Sequence, residues 1–324
     1  MPGTTNDRFE LEPVLACNLC DSRDHTTHAE KVGAASGLTF RIVGCDECGL
    51  LFVNPRLTEA ANRQLYDEEY FNGQGFDSSA NYVMFDEQEQ LREGENRGTI
   101  EKIQVLRPGL DARILDIGCG MGSLLRALDH AGYSDVCGLE FSAFAAAQAQ
   151  RNVRGKVIAA DFLEADFGEA RFDVIHAGEV IEHLRDPMSF FRRLRALLAP
   201  GGVFIYSTGN AAGVYARVLG TRWPYLVPEG HLVYYTPKTM ARYFERAGLD
   251  VLRDTDLAPE QRAALLRCED QITYSQLMYV GAASLGMKRH IFRLAQALTS
   301  PAPMRRLVTR VVGKHALPIG VRRG

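Results

Sequence analysis

The stretch Ile114-Leu115-Asp116-Ile117-Gly118-Cys119-Gly120-Met121-Gly122 decides the fold. An apolar run closes on an acid, and a cluster of glycines follows. Ser123-Leu124-Leu125-Arg126-Ala127-Leu128 then reads as the start of a helix, with Ser123 as its cap. Strand, glycine turn and helix together bring a backbone close to a nucleotide-like ligand. A dinucleotide site would carry G-x-G-x-x-G with a pyrophosphate on the helix N-terminus. Here the glycines stand as Gly118-x-Gly120-x-Gly122, and Asp116 lies two residues before the first. That acid repels an anion and welcomes a cation.

The chain downstream repeats the alternation of strand and helix. Asp135-Val136-Cys137-Gly138-Leu139-Glu140 reads as a second strand ending in an acid, and Ser142 caps the helix that follows. A carboxylate at Glu140 suits the two hydroxyls of a ribose. Lys156 to Ala160 reads as a third strand, followed by Asp161-Phe162. Phe172 to Ala177 reads as a fourth, running into Gly178-Glu179-Val180-Ile181-Glu182-His183. Asp186-Pro187 caps a helix whose apolar face holds Met188, Phe191, Leu194, Leu197 and Leu198, with Arg192, Arg193 and Arg195 as its solvated face. Leu198-Ala199-Pro200-Gly201-Gly202 ends that helix before a fifth strand, Val203 to Thr208.

In this order and spacing the motifs resemble the class I S-adenosylmethionine-dependent methyltransferases, over about residues 110–257. The resemblance implies a Rossmann-like α/β sheet with helices on both faces. It implies S-adenosylmethionine at Asp116, Gly118, Cys119 and Gly120, with Glu140 on the ribose and Phe141 against the ribose or adenine. Asp161 and Phe162 would border the adenine, and Glu179 the reacting methyl. A Glu-His pair recurs in the family at Glu182-His183. His183 then serves as general base, with Glu182 orienting it or binding a substrate hydroxyl. The bland alternative is that His183 ties its loop. Residues 209–235 form a long aromatic connection of the lid or substrate-wall kind. There His231 is a second candidate base, at a position where the family commonly carries a histidine.

Working toward the N-terminus, Cys17-x2-Cys20 and Cys45-x2-Cys48 are separated by 24 residues. Two such knuckles suit tetrahedral Zn²⁺ held by four thiolates, with Val32 to Val43 as short strands between them. Four thiolates close the shell, so the expected role is structural. Gly49-Leu50-Leu51-Phe52-Val53-Asn54-Pro55-Arg56, followed by Leu65-Tyr66-x3-Tyr70-Phe71, resembles a bacterial group with a four-cysteine ribbon ahead of the methyltransferase domain. That group acts largely on small molecules, including nucleotide-linked sugars and natural-product intermediates. The resemblance assigns Tyr66 and Tyr70 to the cofactor and substrate mouth; packing on the core is the alternative.

The division expected is a leader (1–13), the zinc ribbon (14–56), a helical cap or linker (57–109), the cofactor domain (110–257) and a mostly helical extension (258–324). A sixth strand is expected over Leu249 to Leu257, and a seventh near Val280 or missing. The net charge is −3, but residues 271–324 hold nine bases and no acid. That basic extension either packs on the acidic body, joins two copies as a homodimer, or meets an anionic partner. The ribbon's own acids, Asp21, Asp24, Glu30, Asp46 and Glu47, argue against nucleic acid. No apolar run approaches a membrane span, no signal peptide is legible, and the cysteine usage is cytoplasmic in kind. The expected function is methyl transfer to oxygen or carbon of a small polar molecule. An RNA methyltransferase using the ribbon and tail is the alternative.

Overall fold

The structure is a computed structural model that describes residues 9–66, 85–265 and 320–322. Five short strands come first: β1 (Leu11–Glu12), β2 (His25–Val32), β3 (Thr39–Cys45), β4 (Leu51–Val53) and β5 (Arg56–Leu57). Helices Glu59–Arg63 and Phe85–Leu106 follow. Then β6 (Ile114–Ile117), β7 (Val136–Glu140), β8 (Lys156–Ala159), β9 (Phe172–Gly178) and β10 (Leu198–Ser207) carry helices Ser123–Ala131, Ala143–Asn152 and Pro187–Leu197 between them. The last described elements are helix Val214–Leu219, β11 (Val233–Tyr234), helix Pro237–Ala247, β12 (Asp250–Val251) and β13 (Gly320–Val321).

Seven strands form one mixed sheet in the order β12-β13-β10-β9-β6-β7-β8. β8 through β10 are parallel, and β13 runs antiparallel to both its neighbours. From β6 the chain moves one way to β7 and β8, then returns to the other side through β9 and β10. That reversal makes a topological switch point between β6 and β9, and open α/β sheets bind ligands outside the carboxyl ends of the strands at such a point. All four residues of β6 are buried, so the strand reads as a continuous apolar run interrupted only by Asp116. Leu115, Val174, Ile175, Ala177 and Phe204 have no exposed surface. Each large apolar side chain buried this way contributes about 1.5–3 kcal/mol.

Local chemistry sets the helix ends, at Ser142 and Asp186 as the sequence leads one to expect. Ser142 accepts from Ala145 N–H, and Asp186 from Ser189 N–H ahead of Pro187. Thr236 closes a capping box with Thr239, and Gly132 and Gly248 end their helices in the left-handed conformation. Ser123 departs from expectation. Gly122 is the cap, at φ 83°, with no side-chain bond, because the third glycine turns the chain one residue early. A Cβ there would press on Ala149 and Val153 at 3.1 and 3.2 Å. Ser123 Oγ instead accepts from Asn96 Nδ2 at 2.8 Å. Of the three arginines expected in solvent only Arg192 is exposed. Arg193 donates to the Ala165 carbonyl and covers the Phe162 ring, and Arg195 Nε donates to the Gly248 carbonyl at 2.7 Å.

The seventh strand is β13, not a segment near Val280, which lies outside the described residues. Val203 pairs with Val321, and Gly201 N–H donates to the Arg322 carbonyl at 2.7 Å. β13 is only two residues long, too short to carry a period. The sixth strand is likewise shorter than expected, Asp250–Val251, and gives way to a turn at Asp254–Asp256. The basic residues Lys288 to Lys314 lie outside the described residues, as do residues 67–84.

A second sheet has the order β11-β4-β3-β2; β3 ends at Cys45, Cys48 lies in the turn to β4, and Cys17 and Cys20 come before β2. The hairpin strands are longer than the sequence indicated, and the long connection 209–235 supplies its fourth strand. β1 pairs with β5, tying the end of the expected leader to the chain beyond the hairpin. Among the described residues no helix is long and apolar enough to cross a membrane.

Candidate functional site

The candidate cofactor end is built at the tips of β6, β7 and β9. Gly118, Gly120 and Gly122 all take positive φ, which lets the chain turn sharply out of β6. Gly118 and Cys119 N–H groups donate to the Leu139 carbonyl, fastening the turn to β7. A Cβ on Gly118 would stand 2.4 Å from Val180 Cγ2, so glycine is required there by packing. Glu140 is nearly buried, and its two oxygens accept from Gly120 N–H at 2.9 Å and Ser142 N–H at 2.8 Å. Burial raises its carboxyl above the ordinary range, while those N–H bonds oppose the rise. The acid is thus aimed by the glycine turn itself.

Asp116 is buried and faces His176 across the β6–β9 pairing, with His176 Nδ1 at 2.7 Å from Asp116 Oδ1. His176 was legible only as a strand residue. Its one signal was a polar side chain inside the apolar run 172–177. Cys119 is buried, and burial together with the charges of Asp116 and Glu140 pushes its thiol far up, so it is an inert sulfhydryl. Phe141 is 44% exposed beneath the Arg63 guanidinium, 5.1 Å from the ring centroid. Asp161 Oδ1 accepts from Leu163 N–H at 2.7 Å. Phe162 is buried, and its ring packs against Phe190 at 4.7 Å between centroids. Tyr70 lies outside the described residues, and so does the ring of Tyr66.

The end of β9 bends sharply. Glu179 takes φ 52°, left-handed for a residue with a Cβ, and its N–H donates to the Ser207 carbonyl. Such strain gathers where a site needs the backbone held. The residue as a whole is exposed, and its carboxyl lies beside Glu182, Ser207 and Tyr225. Desolvation and then the charge of Glu182 push that carboxyl up to about 8. The turn Ile181–His183 follows. Glu182 has no exposed surface; Tyr225 OH donates to its Oε1 and Thr208 Oγ1 to its Oε2 at 2.9 Å. Burial raises the Glu182 carboxyl, opposed by those donors. Tyr225 is itself held far above the usual phenol range by burial and by both carboxylates, so it stays a donor.

His183 Nδ1 lies 3.0 Å from the Gly230 carbonyl, which can only accept. The neutral ring therefore carries its proton on Nδ1 and its lone pair on Nε2, which stands 3.8 Å from Glu182 Oε1. His231 is oriented the same way, Nδ1 to the Tyr225 carbonyl at 2.7 Å. The two rings meet edge to face at 4.7 Å between centroids. His231 is 5% exposed, and burial followed by the neighbouring His183 holds it well below the ordinary histidine range, so it remains neutral. The ligand atoms of Glu182, His183 and His231 all lie within 4.8 Å of one another. Tyr225 and Thr208 were not singled out from sequence, although Tyr225 belongs to the aromatic connection that was.

The sulfurs of Cys17, Cys20, Cys45 and Cys48 converge within 4.8 Å of one another, as free thiols. Cys17 and Cys48 sulfurs are 3.5 Å apart, and so are those of Cys20 and Cys45. Ligands about 2.3 Å from a tetrahedral metal are about 3.8 Å apart, so the set fits one ion. Burial pushes the Cys48 thiol up to about 11.

A family profile described as a methyltransferase domain matches residues 65–254. A ubiquinone biosynthesis O-methyltransferase of Nitrobacter winogradskyi is 36% identical over 153 residues, covering 43% of this chain and 57% of that protein. The chain thus spans little more than half the length of that relative. A protein of the same name from Thiobacillus denitrificans is 31% identical over 180 residues, 51% of this chain and 76% of its own. Among solved structures, an amino pentose methyltransferase of Micromonospora echinaspora with S-adenosylmethionine bound is 28% identical. It covers 36% of this chain and 50% of its own, with a TM-score of 0.33.

Proposed function

We propose, for a chain that belongs to the methyltransferase-domain family and is an S-adenosylmethionine-dependent methyltransferase, that it methylates oxygen or carbon of a small polar molecule with His183 as general base. A sugar nucleotide or a natural-product intermediate is the substrate class we favour. The observation that carries this reading is the His183 Nδ1 bond to the Gly230 carbonyl, which turns a basic Nε2 toward Glu182. With 21% of its side chain exposed, His183 is reachable in a way that His231 is not. The relatives' name, O-methyltransferase, favours oxygen as the acceptor.

S-Adenosylmethionine, when bound, supplies a methyl group on a positively charged sulfur and needs no further activation. Asp116 and Glu140 would hold it with the backbone of Gly118, Cys119 and Gly120, two carboxylates suiting a cationic ligand. Asp161 and Phe141 would line its adenine end. His183 takes the substrate proton at Nε2, a role worth about 10²–10⁴ in rate. Glu182 then stabilises the imidazolium. Zn²⁺ on Cys17, Cys20, Cys45 and Cys48 is proposed as structural, since four thiolates leave no position for water.

A second reading has its own observation. Both imidazoles donate Nδ1–H to a backbone carbonyl, the bracing that ligating histidines usually have, and a ligand atom of each lies within 4.8 Å of a buried Glu182 oxygen. A divalent cation on Glu182, His183 and His231 would then acidify a substrate hydroxyl, and His183 would be a ligand rather than a base. One experiment tests both. Protein dialysed against chelator is assayed with radiolabelled S-adenosylmethionine on sugar nucleotides and phenols, beside His183→Gln, with metal content measured. The base reading expects transfer without metal and a loss of about 10²–10⁴ in the variant. Transfer that follows bound metal supports the second reading, and an unimpaired variant sinks both.

A further inference from the structure

The tip of the N-terminal hairpin reaches the loop that carries the site. Residues 33–38 join β2 to β3, and Gly33 N–H closes the tip on the Leu38 carbonyl at 2.8 Å. Two N–H groups of this tip, Ser36 at 2.6 Å and Ala35 at 3.2 Å, donate to the Glu229 carboxylate. Glu229 has no exposed surface. A Cβ on Gly33 would stand 2.3 Å from Glu229 Oε1, so the hairpin has closed on the carboxylate as far as a glycine allows.

The backbone beside Glu229 serves the site. Its own carbonyl accepts from Asn62 Nδ2 at 3.2 Å. The next carbonyl, Gly230, accepts from His183 Nδ1. A buried carboxylate without donors is driven toward solvent. Here the two backbone donors come from a hairpin more than 190 positions away in sequence. If they are lost, Glu229 must leave its place, and Gly230 is the next residue.

We propose that Glu229 is a positioning residue. The hairpin tip holds it, and through the Gly230 carbonyl it keeps His183 in the Nδ1–H tautomer. This rests on the reading of His183 as a functional residue but not on its role, since a base and a metal ligand both need the lone pair on Nε2.

Two substitutions in the full chain approach the contact from opposite sides. Glu229→Gln keeps the shape but turns one acceptor into a donor facing an N–H. Gly33→Ala pushes on the carboxylate from the hairpin and leaves the loop's own residues intact. Long-range proton–nitrogen correlation spectra of nitrogen-labelled histidines report each ring's tautomer, with the His183 signal identified by its absence in His183→Gln. S-Adenosylmethionine binding and thermal unfolding are measured alongside. The expected result is Nδ1–H alone in the unaltered protein and a mixture of tautomers in both variants, with cofactor affinity within about threefold. A folded Glu229→Gln protein that keeps the Nδ1–H form overturns the proposal, as does an Nε2–H form in the unaltered protein. If Gly33→Ala does not fold, Glu229→Gln decides alone. Retained tautomer in Glu229→Gln together with lost methyl transfer in His183→Gln would sink the positioning role and leave the base reading standing.

Discussion

Glu140 offers the sharpest test of the cofactor end. Its carboxylate is 8% exposed and held by the N–H groups of Gly120 and Ser142, so it cannot swing aside when a neighbour changes. On the proposed assignment each bond from it to a ribose hydroxyl would be charge-assisted, worth about 1.5–3 kcal/mol. Glu140→Gln keeps one acceptor oxygen and loses the charge. One lost bond converts to a rise of about 10- to 150-fold in the dissociation constant for S-adenosylmethionine. Glu140→Ala loses both acceptors and weakens binding further. Burial raises the Glu140 carboxyl in the folded protein. The ionised form is the better acceptor, so affinity in the unaltered protein falls as acid protonates it, while Glu140→Gln shows no such limb. Titration calorimetry across pH, with unfolding curves as a control for folding, reads both effects. An unchanged affinity in a folded Glu140→Gln protein would refute the assignment of this acid to the ribose.

Tyr225→Phe removes a donor from the fully buried Glu182 carboxylate and should cost about 1–3 kcal/mol in urea unfolding at neutral pH; no loss would mean that Thr208 alone suffices. Protein as purified should hold about one zinc per chain, and chelation or Cys45→Ser should lower the unfolding temperature, because metal binding at such a site is folding energy; metal-free protein of equal stability would remove the structural role. The Glu179 carboxyl is raised from 4.5 to about 8 in the folded state, so between those values the folded protein binds more protons than the unfolded chain. Its contribution is therefore fully present below the unfolded value and is lost as pH rises through the folded one. Glu179→Gln should flatten that decline, and melting temperatures of the two proteins that run parallel across the window would count against the shift.

What the sequence disclosed is what local chemistry controls. The glycine turn after β6 and the caps at Ser142 and Asp186 each depend on residues within one turn of one another. The two cysteine knuckles have their own spacing and converge as that spacing indicates. What stayed hidden depends on register and on distant pairing. His176 meets Asp116 only because β9 lies beside β6 with those two residues opposed. β13 reaches β10 from more than 100 positions away with two residues and no periodicity. The packing of the Phe162 ring onto Phe190 and beneath Arg193 likewise depends on how the chain turns after β8. Glu229 carried no signal at all, since its donors are backbone groups of another sheet's hairpin.

The position of the four-cysteine module gives the proposed closed metal site a reason to belong to a transferase. β4 begins three residues after Cys48 and pairs with β11, Phe52 opposite Val233 and Leu51 opposite Tyr234. β11 is two residues long, and strands that short do not persist without a partner. Leu232, just before it, is bonded on both sides. Its carbonyl accepts from Val53 N–H at 2.9 Å, and its N–H donates to the Glu182 carbonyl at 2.7 Å. The turn that carries Glu182 and His183 is thus one residue removed from a strand of the second sheet. Asn18, between Cys17 and Cys20, adds a second tie, donating to Asp186 and accepting from Met188 N–H at the start of the next helix. A metal on the four sulfurs would take no part in the chemistry and still act on it. By fixing β4 and the segment around Asn18, it would hold both ends of the 181–188 segment, and with them the angle at which Glu182 and His183 enter the site.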